Sequence, residues 1–157
     1  MRRESPYPMV SVDEAMRIIA AHTPVLATEQ IDALTGDGRV LAEDITAPAS
    51  LPDLPKAAVD GYALRAEDGV QPRRVLAELT AGSARGITLG PGTAVRIMTG
   101  APVPAGADAV IMVEQTEEEA GVLRIQRELQ AGESIHTVGQ DIAQGVLVLA
   151  RGSVLGF

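Results

Sequence analysis

Residues 94–114, AVRIMTGAPVPAGADAVIMVE, consist of two apolar runs with a stretch rich in glycine and proline between them. Each run, Ala94–Met98 and Ala109–Glu114, has the length of a β-strand and is too short for an ordinary helix. The residues between the runs are expected to form a rigid bend, because proline fixes its own backbone and glycine permits tight turns. The segment therefore predicts two strands joined by an irregular connection.

Four further runs of this kind occur elsewhere in the chain, and turn residues separate them: Ala58–Leu64, Arg74–Thr80, Val122–Gln126 and Val146–Ala150. After residue 59, no apolar pattern of helical period extends over ten residues. Strands that follow one another without intervening helices usually pair antiparallel. We therefore predict a turn-rich, mainly antiparallel β lobe, in which the acidic residues 117–119 form a solvated turn.

A helix is predicted at about residues 12–22. It is preceded by a capping box, in which the Ser11 hydroxyl can accept a hydrogen bond from the N–H of Glu14. Thr23-Pro24 ends the pattern, because the residue before a proline avoids the helical conformation. Apolar side chains recur along this segment at helical spacing, so one face is apolar: Val12, Ala15, Met16 and Ile19.

The predicted fold class is α+β, with a small α/β piece and a larger β lobe. Residues 1–45 and 141–157 are assigned to the small piece, and residues 46–140 to the β lobe. Within the small piece, residues 33–42 fit either a loop or a short helix, since Gly36 and Gly38 each weaken a helix by roughly 1 kcal/mol. The apolar run at 145–155 favours a chain that belongs to a longer protein over a last strand that completes the fold.

The composition excludes several classes of function. The net charge of -8 argues against a nucleic-acid interface, which needs clustered Lys and Arg. The absence of cysteine excludes disulfides, thiolate metal sites and cysteine nucleophiles. The first ten residues lack the apolar region of a signal peptide, and no apolar run reaches the ~20 residues that span a bilayer. We expect a cytoplasmic protein that binds neither nucleic acid nor membrane.

The first candidate site residue is Asp60, in the segment Val59-Asp60-Gly61-Tyr62-Ala63. Aspartate and glycine are both poor strand residues, yet they stand inside an apolar, strand-like run. One interpretation is a β-bulge or turn in which Asp60 bonds nearby backbone. The other is a carboxylate held at a strand edge, where backbone can approach a ligand closely.

The second candidate is the pair Thr99-Gly100, at the end of the run that begins at Ala94. The Thr99 hydroxyl and the Gly100 N–H would lie together at a strand end, where they could hold an oxyanion. The alternative is a tight turn in which Thr99 bonds its own backbone. Asp141, after a glycine turn, and Glu114, at a strand end, are weaker candidates for capping, ion pairing or cation binding.

Several of these segments resemble the MoeA/gephyrin family of molybdopterin molybdenumtransferases. Residues 96–116, RIMTGAPVPAGADAVIMVEQT, are similar to a long signature of that family. Residues 51–63 resemble its LPxFxxSAMDGYA motif, residues 38–44 its GRVLAED segment, and residues 139–142 its GxDI segment. The order and spacing agree over nearly the whole chain, so the resemblance is to the N-terminal portion of the family, domains I and II.

The resemblance implies an enzyme that inserts molybdate into adenylylated molybdopterin with the help of Mg²⁺ and releases AMP. It also implies a homodimer whose active-site cleft is completed by a MogA-like domain, with possible contact to a MogA-like protein. By position, Asp60 and Thr99 become the catalytic candidates, and Gly61, Gly100 and Asp141 the substrate-binding ones. The metal ligands are left open.

The chain departs from the family motif at Leu54, Ala57 and Val59, which replace Phe, Ser and Met, and the loss of the Ser hydroxyl removes one hydrogen-bonding group. It also has no counterpart of the MogA-like domain. We therefore expect this chain to be inactive alone and to bind no cofactor tightly. The alternative is a non-catalytic scaffold or partner-binding module of the same pathway.

Overall fold

A computed structural model describes residues 9–80, 82 and 86–156. Helix α1 runs over Val12–His22, and the Ser11 hydroxyl accepts a hydrogen bond from the N–H of Glu14 at 3.2 Å. The predicted helix and its cap are therefore confirmed. None of its residues is buried, and Val12 and Met16 are 80% and 61% exposed. Within the described residues, no helix is long and apolar enough to cross a bilayer.

By its internal contacts the chain divides into two compact units, Met1–Ala42 with Arg151–Phe157, and Glu43–Ala150. The first unit contains α1 and a short 3-10 helix, Ala33–Thr35. Its two chain segments are joined by an antiparallel bridge between Val40 and Val154. Residues 25–31 form no strand. The predicted domain boundaries stay a prediction.

The described residues of the second unit form ten strands: β1 Ile45–Thr46, β2 Lys56–Ala57, β3 Gly61–Leu64, β4 Arg73–Leu79, β5 Thr93–Ile97, β6 Ala109–Met112, β7 Thr116–Glu119, β8 Val122–Ile125, β9 Ile135–His136 and β10 Leu147–Leu149. Six of them form one sheet in the order β6-β3-β5-β4-β8-β7. Every pair in this sheet is antiparallel except β4 and β5, which are parallel. Strand β1 pairs with β10, and β2 with β9. The predicted mainly antiparallel β lobe is therefore correct.

Strands β3, β5 and β6 are largely buried on both faces of the six-stranded sheet, which explains why these strands appear in the sequence as nearly continuous apolar runs. Along these three strands, successive buried side chains enter two different clusters. One cluster contains Ala57, Ala63, Leu79, Leu89, Val95, Ile97, Ala101 and Val110. The other contains Tyr62, Leu64, Ala94, Ala109, Ile111, Leu123, Ile125 and Leu129.

The prediction of a solvated turn at residues 117–119 is wrong. These glutamates belong to the edge strand β7, which pairs with β8 and places Glu117 opposite Arg124. The turn is formed by the next two residues, Ala120 and Gly121, which both have positive φ, 51° and 77°. This is the backbone of a tight hairpin turn, whose usual sequence signal is Asn-Gly. Alanine in the first of these positions hid the hairpin, and the charges on an exposed edge strand protect it from unwanted pairing.

The run Ala58–Leu64 also differs from its prediction, because only Gly61–Leu64 forms a strand. Residues 58–60 form a bend between β2 and β3. The acidic residue that looked out of place in a strand is therefore the last residue of that bend, and this position matters for the site.

Candidate functional site

Asp60 and Thr99 meet at the ends of two neighbouring inner strands of the six-stranded sheet. Strands β3 and β5 are antiparallel, with Gly61 opposite Ile97. Asp60 immediately precedes β3, and Thr99 follows the end of β5 by two residues. Because the start of one antiparallel strand lies beside the end of the other, two side chains that are 39 residues apart in the sequence become neighbours.

Both donors of Thr99 bind the same oxygen of Asp60. The Thr99 N–H donates to Oδ1 at 2.7 Å, and the Thr99 hydroxyl donates to it at 2.6 Å. Within the described residues, Oδ2 accepts no hydrogen bond, and Asp60 is exposed. The pair thus has a fixed side, facing Thr99, and an open side, formed by Oδ2.

These hydrogen bonds favour the ionised carboxylate. The pKa of Asp60 lies below its ordinary value of 3.8, first because of the Thr99 hydroxyl, then because of the Thr99 N–H, and then because of the nearby charge of Arg96. The loss of some contact with water opposes these effects. At neutral pH Asp60 is therefore a hydrogen-bond acceptor with a full negative charge. A carboxylate with a lowered pKa is a weak general base, so its chemistry is to bind a donor or a cation.

A Thr99→Val substitution is expected to raise the pKa of Asp60, because it removes the larger of the two donors and leaves the N–H. The native interaction stabilises the fold when Asp60 is ionised, above the unfolded pKa, and is lost as the pH falls through the folded pKa. The variant should therefore be less stable than the parent at neutral pH, and the difference should shrink below about pH 4. Acid titration followed by carboxyl NMR and by unfolding measures both effects.

Thr99→Ser is the matched control, since it keeps a hydroxyl at the same position. Its Asp60 pKa should stay close to that of the parent. A valine variant with an unchanged Asp60 pKa would show that the hydroxyl contributes nothing to the site in solution.

The glycines next to these residues are engaged by the protein itself. The Gly100 N–H donates to the carbonyl oxygen of Ala57 at 2.9 Å, so it is not the free donor that an oxyanion site would need. Gly100 has a φ of 78°, a conformation that favours glycine. Gly61 is buried, and the space that a Cβ would take is filled by backbone of Ile111. Packing alone accounts for Gly61, and ligand contacts of both glycines stay predictions.

Asp141 and Glu114 are not joined to the pair. Asp141 is exposed, and its N–H donates to the carbonyl oxygen of Leu51 at 3.0 Å. In the described part of the chain, no hydrogen bond or ion pair connects either carboxylate with Asp60 or Thr99. Nor do any three His, Asp or Glu side chains there form a group that could hold a metal ion. A role for Asp141 in binding substrate stays a prediction.

A network around Arg96 lies next to the pair, and the sequence interpretation missed it. An N–H of Arg96 donates to the Tyr62 hydroxyl at 3.0 Å, and that hydroxyl donates to Oε2 of Glu118 at 2.5 Å. The guanidinium lies 5.5 Å from the centre of the Tyr62 ring. Burial, followed by the bond to Glu118, raises the pKa of Tyr62. The spacing of two residues between Asp60 and Tyr62 was the signal in the sequence that could have pointed to this network.

The sequence of this chain matches a known protein family. A family described as MoeA N-terminal region (domain I and II) matches residues 10–157. The chain belongs to this family. The motif resemblance is thereby confirmed, and the Asp60–Thr99 pair is a feature of a MoeA N-terminal region.

Relatives of this MoeA region are longer proteins. Molybdopterin molybdenumtransferase 2 of Mycobacterium tuberculosis is 39% identical over 154 residues, which are 94% of this chain and 38% of that protein. Molybdopterin molybdenumtransferase of Bacillus subtilis is 37% identical over 164 residues, which are 98% of this chain and 37% of that protein. This chain therefore spans well under half the length of these relatives.

A solved structure supports the fold directly. The molybdopterin biosynthesis MoeA protein from Pyrococcus horikoshii superposes with a TM-score of 0.86 at 34% identity, over 94% of this chain and 41% of that one. The predicted fold class, α+β with the architecture of the MoeA N-terminal region, is confirmed by this match.

Proposed function

We propose that this chain is the N-terminal portion of a molybdopterin molybdenumtransferase and contributes to molybdate insertion into adenylylated molybdopterin during molybdenum cofactor biosynthesis. The transferase names of its relatives support the activity. The observation that carries the proposal is the exposed carboxylate of Asp60, which Thr99 holds by two hydrogen bonds while Oδ2 stays open. This free, charged oxygen could accept a hydrogen bond from a ligand.

The ionised Asp60 suits a donor group of the substrate. Its Oδ2 can accept a hydrogen bond from an N–H or O–H of adenylylated molybdopterin, and that contact would orient the molecule. Molybdate is an anion and would be repelled by the same carboxylate. Transfer of an oxyanion also needs positive charge at the reacting centre. We infer that the rest of the protein, including a MogA-like domain of a homodimer partner, supplies that charge.

Magnesium ligands in this chain stay undefined. Among the described residues, no three His, Asp or Glu side chains form a group that could hold a metal ion, and Mg²⁺ is commonly bound through one or two carboxylates together with substrate phosphates. If the full protein uses Mg²⁺, its ligands come mainly from other domains or from the substrate. The role of Asp60 that we propose is therefore one of binding and orientation, in a cytoplasmic enzyme.

A second candidate function is a partner-binding module without catalysis. The exposed apolar side chains of α1 favour it, since Val12, Met16 and Ile19 are each more than half exposed on a helix that buries none of its residues. Such a surface commonly marks an interface. The two functions differ in one respect: only the enzyme portion has to place Asp60 within reach of a substrate.

Mixing this chain with a separately produced MogA-like domain tests the proposal. Molybdate-dependent AMP release from adenylylated molybdopterin is expected from the mixture and from neither piece alone. The matched control is the same mixture made with an Asp60→Asn chain, which should release AMP at the background rate. If both pieces are folded and associate, but AMP release stays at background, the partner-binding function becomes the better account.

A further inference from the structure

Arg96 is a positive charge of β5 that acts on the carboxylate of Asp60. Tyr62 lies directly opposite Arg96 in the antiparallel pairing of β3 and β5. Asp60 is two residues before Tyr62, in the bend that leads into β3, and its position is therefore diagonal to Arg96 at the end of this strand pair. Diagonal neighbours of this kind are within reach of long side chains.

The guanidinium of Arg96 is held in place by Tyr62. Its N–H donates to the Tyr62 hydroxyl at 3.0 Å, and its plane lies within cation–π range of the ring, at 5.5 Å from the centre. Tyr62 is itself fixed, because it is 2% exposed and donates to Glu118 of β7 at 2.5 Å. The three side chains form a directional series in which Arg96 donates to Tyr62 and Tyr62 donates to Glu118.

Carboxylates surround this single cation. Glu78 lies opposite Arg96 on β4, Glu118 bonds the same Tyr62 hydroxyl, and Asp60 lies in the bend just before β3. In the described part of the chain, Arg96 forms no ion pair within 4.0 Å with any of them. The hydrogen bond to Tyr62, called the clamp below, therefore holds the charge of Arg96 near Asp60. It also keeps the guanidinium from pairing with the carboxylate, a contact that would block the open Oδ2.

We propose that Arg96, clamped by Tyr62, is a positioning residue for Asp60. It provides a fixed positive charge that favours the ionised carboxylate, and it leaves Oδ2 to the ligand. Its charge also lowers the pKa of Asp60, as the smallest of the contributions and behind those of the two Thr99 donors. The catalytic consequence of the clamp rests on the proposed function, whereas its effect on Asp60 does not.

Carboxyl NMR titration of this chain tests the electrostatic part. In Arg96→Met the charge is lost and an unbranched apolar stem remains, so the pKa of Asp60 should rise. In Arg96→Lys the charge remains and the pKa should stay low. Arg124→Met is the matched control, because Arg124 is exposed on β8 between the buried Leu123 and Ile125 and thus projects away from their face. An Asp60 pKa that does not move in a folded Arg96→Met variant overturns the proposal.

Tyr62→Phe separates the clamp from the charge. It keeps the buried ring but removes the hydroxyl that accepts from Arg96 and donates to Glu118. We expect a rise in the Asp60 pKa, smaller than in Arg96→Met, because the guanidinium stays nearby but is no longer fixed. A rise equal to that of Arg96→Met also supports the clamp, while no change in a folded variant shows that Tyr62 does not hold Arg96 for this purpose.

The full-length protein tests the catalytic part. Arg96→Met should lower turnover about tenfold, as expected when a reacting group is held less accurately, and should move the acid limb of the pH–rate profile to higher pH. An Asp60→Asn variant is assayed beside it. If Asp60→Asn keeps full turnover, the proposed function fails, and the NMR titration still decides the role of Arg96. If Asp60→Asn is inactive and Arg96→Met has parental turnover and pH profile, the positioning role is overturned.

Discussion

Asp60→Asn in the full-length protein is expected to fold as the parent does and to lose about 100-fold in turnover, the order of loss seen when one fixed polar contact in an active site is removed. Asparagine has nearly the shape of aspartate, and its amide oxygen can still accept from both Thr99 donors. At the position of Oδ2, however, an amide nitrogen replaces the carboxylate oxygen. The open side of the pair then presents an N–H donor in place of an acceptor oxygen, and the negative charge of the carboxylate is lost.

The measurement is molybdate-dependent AMP release by variant and parent, together with their chemical denaturation curves. Asp53→Asn is the matched control, because Asp53 is an exposed carboxylate of the preceding loop whose only described partner is Lys56, at 3.5 Å. Its loss should change neither turnover nor stability appreciably. Parental turnover in Asp60→Asn would make Asp60 a turn residue. A clear loss of stability with unchanged turnover would lead to the same conclusion.

The elements were largely predictable because local signals specify them. The cap at Ser11 and the stop at Pro24 delimit α1 correctly, and the apolar runs locate β4, β5, β6 and β8 within one or two residues. The order of the strands was not predictable, because it depends on pairing between distant segments. The parallel pairing of β4 with β5, inside an otherwise antiparallel sheet, has no local signal at all.

Local signals also identified two of the candidate site residues, whose roles stay predictions. The odd placement of Asp60 and the Thr-Gly pair identified two residues that the structure brings into contact. The oxyanion interpretation could not anticipate that the Gly100 N–H bonds Ala57, because that bond depends on how β2 lies beside the loop after β5. The Arg96 network was missed for a similar reason. Its last member, Glu118, stands on a strand that the sequence interpretation took for a turn.

Gly61→Ala is expected to destabilise the chain by about 3 kcal/mol, the upper end of the usual cost of overpacking. A Cβ at this position would overlap the carbonyl oxygen of Ile111 and lie 2.8 Å from its carbonyl carbon and 3.1 Å from Cα of Met112. These are backbone atoms of β6, which pairs with β3 over four residues, so no side chain can move aside to make room. The strand pair itself would have to separate.

Gly90→Ala provides the control, because a Cβ there would meet nothing within 4 Å and φ is not positive. That change should leave stability within about 1 kcal/mol of the parent, since alanine also restricts the unfolded chain. Denaturant unfolding of the two variants measures the difference. A Gly61→Ala chain as stable as Gly90→Ala would mean that β6 does not lie against β3 as described. If Gly61→Ala is destabilised while Asp60→Asn is not, the two adjacent residues have separate tasks: Gly61 allows the strands to pack, and Asp60 serves the ligand.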